Sequence, residues 1–275
     1  MDLGSRVELN NGVLMPWVGF GTFRIPDGKD VEDAVSSALE AGYRSIDTAS
    51  YYGNERGVGL AIRESGLDRK DIFLTTKVWI DEQGYDGTKD AMARSLERLG
   101  MDYVDLYLVH WPRRGMIEDT WKAMEDILQE GLARSIGVSN FLLGHLNELY
   151  RTCKTMPAID QIEFHPYLYP IELLDHCMDK GIRVEAWSPL MQGHVTELEE
   201  LKELSDYYGR SIPQITLRWD LQHGVVTIPK STHKDRILEN AEIFDFEIEE
   251  RHMRLIDSLN REKRFGPDPN IMYAR

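Results

Sequence analysis

Cysteine is nearly absent: Cys153 and Cys177 are the only two in 275 residues. Two thiols make no disulfide framework, and a chain of this length needs none, since it can bury roughly three quarters of its unfolded surface. Both fall in stretches with helical patterning, which predicts buried thiols in a reducing compartment rather than a bridge or a metal site. His-x-His and His-Glu-x-x-His pairs are missing, and Glu163-x-His165 offers two ligands where a metal site needs more. No apolar run approaches the ~18 residues of a membrane span, and Met1-Asp2-Leu3-Gly4-Ser5-Arg6 has no apolar h-region. The expectation is a cytoplasmic protein with no membrane partner. Basic residues are in deficit, 32 against 47 acidic for a net charge of -15, which repels phosphate backbones and argues against nucleic acid. Gly19-Phe20-Gly21 lacks the third glycine of a dinucleotide fingerprint, and no Walker A motif occurs.

What the chain does have is a repeated grammar: an amphipathic stretch, a glycine suited to a helix C-terminus, then a short strand rich in β-branched residues. Gly42, Gly66, Gly100, Gly131, Gly181 and Gly224 precede strands predicted at 43–47, 72–77, 103–110, 133–138, 182–186 and 225–228. These six are too apolar to face water, and two more, at 16–20 and 158–163, complete eight. Eight strands alternating with helices over about 250 residues indicate an α/β fold, a single-domain (β/α)8 barrel over residues 1–275. Val7-Glu8-Leu9 and Val13-Leu14 around Asn10-Asn11-Gly12 predict an N-terminal hairpin, and the proline-containing tail from Arg261 predicts an irregular segment.

Three predicted strands end in ionisable residues: Asp47, Lys77 and His110, with Tyr52 five residues past the first. Parallel neighbours lie about 5 Å apart, so side chains at their carboxyl ends can meet, and in a barrel that end carries the chemistry. One such residue can simply mark the chain leaving the core; three on adjacent strands with nearly charge-free interiors favour a site. Tyr and Lys have reference pKa values near 10 and 10.4. Lys77 beside Tyr52 would stabilise the phenolate and lower the Tyr pKa, Asp47 would keep Lys77 charged, and a neutral His110 could donate to a carbonyl oxygen. The loops Ser188-Pro189-Leu190-Met191-Gln192-Gly193 and Lys230-Ser231-Thr232, with Arg236 after them, follow the last two strands, where barrels hold phosphates.

The run Asp47-Thr48-Ala49-Ser50-Tyr51-Tyr52-Gly53-Asn54-Glu55 resembles the signature of the aldo-keto reductases. The likeness continues through Thr76-Lys77-Val78-Trp79, His110-Trp111-Pro112, Gly137-Val138-Ser139-Asn140-Phe141, Gln161-Ile162-Glu163 and Ile228-Pro229-Lys230-Ser231. It implies Tyr52 as general acid, tuned by Lys77 and Asp47, with His110 orienting a carbonyl for hydride transfer from a nicotinamide. By the same resemblance Ser139, Asn140 and Gln161 hold the carboxamide, and Trp187 stacks on the ring where many relatives carry Tyr. Ser188, Leu190 and Gln192 belong to the loop over the pyrophosphate. Lys230, Ser231 and Arg236 take the 2′-phosphate of NADPH, Glu239 and Asn240 reach the adenine, and Gly21, Thr22, Ile228 and Thr232 complete the cofactor set. Solvated surface cations are the other reading of Lys230 and Arg236; in an acidic chain phosphate binding is favoured, and so NADPH over NADH.

Trp17, Tyr51, Trp79 and Trp111 would then form an apolar wall around the carbonyl, core packing being the alternative for each and for Trp17 above all. Phe23 and Met272 are weaker rim candidates. The short Arg113-Arg114-Gly115-Met116 loop and short tail suggest an open, shallow pocket, similar to that of compact microbial and plant members acting on 2,5-diketogluconate and small aldehydes. Either arginine near the carbonyl would favour carboxylate-bearing substrates, while solvated loop arginines are the alternative. The sequence therefore predicts a monomeric, NADPH-dependent reductase of small carbonyl compounds. An NADPH-binding regulatory or structural protein is the second reading, and a metal-dependent hydrolase is opposed by the missing ligand cluster.

Overall fold

The computed structural model describes residues 1–274. One sheet holds eight strands in chain order: β1 (Phe20–Gly21), β2 (Ser45–Asp47), β3 (Phe73–Val78), β4 (Val104–Val109), β5 (Ala133–Ser139), β6 (Ile159–Glu163), β7 (Arg183–Trp187) and β8 (Val226–Thr227). Every neighbouring pair is parallel. Val18 bridges Thr227, the Gly19 N–H donates to the Thr227 carbonyl (2.9 Å) and the Thr227 N–H to that of Trp17 (3.1 Å), so the last strand returns to the first and the sheet closes. The helices form as their spacing predicts. Lys29–Glu40 buries Val31, Ala34, Val35, Ala38 and Leu39 on one face, and Tyr85–Leu99 stops at Gly100, whose φ of 63° only glycine adopts freely. No helix among the described residues is long and apolar enough to cross a membrane.

The hairpin pairs Arg6–Glu8 with Leu14–Pro16, Val7 opposite Met15. Val7, Leu9 and Met15 pack on Phe73, Leu106, Ala158 and Val226, filling the barrel's amino-terminal end. The chemistry is thereby left to the opposite end.

Four sequence expectations need correction. The strand predicted at 16–20 is divided: Pro16 ends the hairpin and the barrel strand begins at Phe20. Cys153 lies beyond the helix Leu143–Leu149, half-buried, whereas Cys177 is buried in Ile171–Asp179. The tail is not wholly irregular, since Pro269–Tyr273 forms a short helix with Pro in its first turn, capped by the Asp268 carboxylate accepting from the Asn270 N–H (2.8 Å). Strand interiors also carry more charge than expected: Asp105, Asp160 and Glu185 are all buried within them. Asp105 is compensated by the Leu74 N–H, Arg69 and Arg134.

Candidate active site

Asp47 closes β2, Lys77 stands one residue before the end of β3, and His110 follows β4 directly. All three are buried at the carboxyl end of the barrel. Tyr52 joins them through a turn: residues Ser50–Tyr52 make one 3-10 turn in which the Tyr52 N–H donates to the Ala49 carbonyl (3.0 Å), and Gly53 reverses the chain at φ 69°. Asn54 fixes that turn. Its Nδ2 donates to the carbonyls of Thr22 and Ile25 (2.9 Å each) and its Oδ1 accepts from Thr48 Oγ1 (2.8 Å), tying the loops after β1 and β2 together.

Lys77 Nζ donates to Asp47 Oδ1 (2.6 Å), the Thr48 carbonyl (2.9 Å) and Tyr52 Oη (3.2 Å), which uses all three of its hydrogens. Burial opposes the ammonium, but Asp47 and Tyr52 outweigh it and its pKa is raised. Tyr52 behaves differently from the sequence expectation. Lys77 does pull its pKa down, yet burial is the larger effect and the phenol is pushed up to about 12. His110, its ring 5.6 Å from that of Tyr52, is held well below the usual imidazole range by burial and then by Lys77. At neutral pH the arrangement is a protonated phenol, an ammonium and a neutral imidazole in one cluster, a set that can protonate an oxygen without first gaining a proton.

Ser139, Asn140, Gln161 and Trp187 converge beside this group. Asn140, at φ 65°, donates from Nδ2 to the His110 carbonyl (2.9 Å) and Ser139 Oγ (3.0 Å), and its Oδ1 accepts from Trp187 Nε1 (2.9 Å). That last bond gives the indole a polar partner and accounts for how Trp is accommodated here. Ser139 Oγ donates to the Gln161 carbonyl (2.8 Å). Gln161 Nε2 donates to Asp47 Oδ2 (2.8 Å) and Glu185 Oε2 (2.7 Å).

The loop after β7 is wound through left-handed conformations at Ser188, Met191, Gln192 and Gly193, with Leu190 half-buried between them. Gln192 Oε1 accepts from Arg24 Nη1 (3.3 Å), so this loop reaches the one after β1. Gly21 lies so close to the Ile228 carbonyl that a Cβ would sit 3.1 Å from it, and Thr22 Oγ1 is turned inward to the Asp47 carbonyl (2.8 Å). Lys230, Thr232 and Arg236 are exposed and Ser231 is buried, its Oγ accepting from the His233 N–H (3.1 Å) ahead of the helix Lys234–Ala241. Lys234 has Glu40 (2.8 Å), but Lys230 has no such partner among the described residues: burial and Arg24 both push its ammonium down. Two cations facing one another in an acidic chain suit a phosphate-bearing ligand. Glu239 and buried Asn240 lie in the last turn of that helix, the Glu239 carbonyl held by Gln214 Nε2 (3.1 Å).

Tyr51 stacks on Trp79 with centroids 3.7 Å apart, and Trp79 meets the His110 ring edge-on at 5.1 Å. Trp111 clusters with Ile80 and Met272, against which Trp79 and Trp187 pack. Phe23 lies 4.9 Å from the Tyr52 ring. Met272 and Phe23 thus join the wall, whereas Trp17 does not: it packs with the hairpin cluster, its ring under Arg183 at the start of β7. The alternative of core packing, weighed above all for Trp17, is the one its contacts support. Arg113 Nη1 donates to the Ile80 carbonyl (3.0 Å), and Arg114 is exposed.

Two further features were missed in the sequence. Glu163 Oε1 accepts from the N–H groups of Phe265 (2.6 Å) and Gly266 (3.2 Å) and sits 3.1 Å from His165 Nε2, so a buried carboxylate anchors the tail. Gly266 meets the outer edge of the Trp187 ring, where any Cβ would overlap Cη2. Replacing Gly266 by valine is expected to lower stability by about 1–3 kcal/mol, as overpacking does, and to raise the carbonyl KM by displacing Met272; urea unfolding with the mutant kinetics checks it, and an unchanged midpoint would show the tail free to move. The other feature, Glu185, interrupts the apolar β7, which was the available signal.

A family model described as Aldo/keto reductase family matches residues 18–261. A glyoxal reductase of Bacillus subtilis is 50% identical over 269 residues, covering 98% of each chain. A 9,11-endoperoxide prostaglandin H2 reductase of Trypanosoma cruzi is 48% identical over 270 residues, 97% of this chain and 95% of that one. Among solved structures, a Bombyx mori aldo-keto reductase in complex with NADP superposes with a TM-score of 0.92 at 36% identity, covering 98% of this chain and 97% of the other.

Proposed function

This chain belongs to the aldo/keto reductase family, and we propose that it is an NADPH-dependent reductase of small aldehydes and ketones in which Tyr52 protonates the carbonyl oxygen. The observation that carries this is the chain of contacts from Asp47 through Lys77 Nζ to Tyr52 Oη beside a neutral His110. Bound NADPH supplies the hydride. Lys77 orients the phenol, His110 donates a hydrogen bond to the carbonyl oxygen and so holds the carbonyl carbon toward the cofactor, and Tyr52 releases its proton as the alkoxide forms. Ser139, Asn140 and Gln161 hold the carboxamide, Trp187 stacks on the ring, and Lys230, Ser231 and Arg236 bind the 2′-phosphate.

Tyr51, Trp79, Trp111, Phe23 and Met272 surround the carbonyl with apolar surface, which excludes water from it. The likeness to a glyoxal reductase supports small dicarbonyl and aldehyde substrates.

The test is NADPH consumption with a panel of aldehydes, diketones and keto acids, beside NADH. Turnover with a clear preference for NADPH is expected. Lys230→Ala and Arg236→Ala should each raise the NADPH KM by roughly 10–100-fold, the worth of a hydrogen bond to a charged group, and leave that for NADH nearly unchanged. Equal efficiency with both cofactors would overturn the 2′-phosphate assignment, and tight NADPH binding without turnover of any carbonyl would overturn the reductase in favour of a regulatory role.

A further inference from the structure

Glu185 is buried in β7 and has no place in the reaction described above. Its Oε2 accepts from Gln161 Nε2 at 2.7 Å, while Asp47 Oδ2 accepts from the same nitrogen at 2.8 Å. An amide nitrogen has two hydrogens, so these two carboxyl groups occupy both. A flipped Gln161 would set its oxygen against the Asp47 carboxylate, which only accepts; the amide therefore has one orientation, with Oε1 accepting from no protein group among the described residues. A nicotinamide carboxamide presents an NH2 that needs such an acceptor.

We propose that Glu185 is a positioning residue for hydride transfer: with Asp47 it locks the Gln161 amide so that its oxygen meets the cofactor carboxamide, and its charge biases the site between oxidised and reduced cofactor. The inference rests on the NADPH reading above. The charged and titratable groups facing Glu185 are Asp47 from β2, Lys77 from β3 and, beyond them, Tyr52; Gln161 from β6 and Val226 from β8 flank it and bring no charge. Burial, then Asp47, push its carboxyl up to about 8, against the opposing pull of the Gln161 N–H and Lys77. Its Oε1 is buried without a partner, a poor setting for a full negative charge. Below that pH Glu185 is neutral. Above it, a second anion faces the site, favouring the cationic ring of NADP+ over neutral NADPH.

Glu185→Gln keeps an acceptor for Gln161 and removes the charge; Glu185→Leu removes both. Binding is read by quenching of protein fluorescence, and protonation by pH-difference infrared spectra of the cofactor-free protein. In the wild type the ratio of the NADP+ Kd to the NADPH Kd should fall about 10-fold as pH rises through about 8, and a carboxylic-acid signal should vanish over the same range. Glu185→Gln should show neither change, and Glu185→Leu should weaken both cofactors by roughly 2–10-fold. A pH-independent ratio in the wild type, or a pH dependence that survives in Glu185→Gln, would overturn the charge role. Unchanged binding in a folded Glu185→Leu would overturn the positioning role; should that variant not fold, Glu185→Val, which suits a buried strand and also removes the acceptor, is read in the same way. Loss of the reductase reading would show instead as NADPH binding without turnover of any carbonyl, which leaves the infrared arm standing.

Discussion

Tyr52→Phe is expected to lower kcat for carbonyl reduction by about 10²–10⁴-fold, the usual worth of a positioned general acid, with NADPH affinity unchanged. The phenol is held up to about 12 because burial outweighs Lys77, so Tyr52 carries its proton throughout the neutral range and gives it up only to a stronger base, which the alkoxide is. No neighbour replaces it. His110 is kept neutral by burial and Lys77, and Lys77 already spends its other two hydrogens on Asp47 and the Thr48 carbonyl. Those two bonds survive the substitution, so the variant should fold. Steady-state kinetics beside a fluorescence titration with NADPH separates the effects: a fall in kcat at constant Kd is the expected pair, and full activity would remove Tyr52 from the mechanism. The same raised pKa predicts no Tyr52-dependent alkaline loss of reduction in the neutral range, the limb being centred near pH 12.

Asp47, Lys77 and His110 were legible because each interrupts the end of an apolar run, and a barrel turns strand ends into one surface. Tyr52 was legible as a candidate five residues past Asp47, but its approach was not, since that depends on a single 3-10 turn and on Asn54 fastening two loops. The sense of the Tyr52 shift was not legible. Lys77 and burial oppose each other there, and only the depth of the side chain decides between them. Trp17 was misplaced for a related reason: residues adjoining a motif can point to either end of a barrel, and the Arg183 contact that settles its side is 166 positions away in the chain.

Glu185 escaped because parallel strands with both faces covered read as apolar runs, and one carboxylate among Val184, Ala186 and Trp187 does not by itself mark a site. Its meaning comes from Gln161 and Asp47, which lie on other strands. The tail contact on Trp187 was equally hidden, since nothing local to Gly266 announces that the edge of an indole abuts it.

Lys77→Met is expected to cost about 3–5 kcal/mol of stability, the penalty for leaving one partner of a buried ion pair alone. Lys77 and Asp47 are almost wholly inaccessible, with side-chain exposures of 0% and 3%, and 2.6 Å apart. Methionine matches the stem of lysine but leaves the Asp47 carboxylate with Gln161 Nε2 as its remaining side-chain donor. Because the stored cost is that of the unpaired anion, adding Asp47→Leu should restore part of the loss, and urea unfolding of both single variants and the double closes the cycle. A double variant less stable than Lys77→Met would show that the pair stabilises the fold as a unit. The sign of the pH dependence follows from the raised Lys77 pKa. Its contribution is complete below the ordinary lysine value of 10.5 and is lost only as pH climbs through the higher folded value, so the gap between wild type and Lys77→Met should hold constant across neutral pH and narrow only in strong alkali. Activity should fall with the substitution as well, since Tyr52 loses the ammonium that both orients it and steadies its phenolate, while the double variant regains stability without regaining turnover.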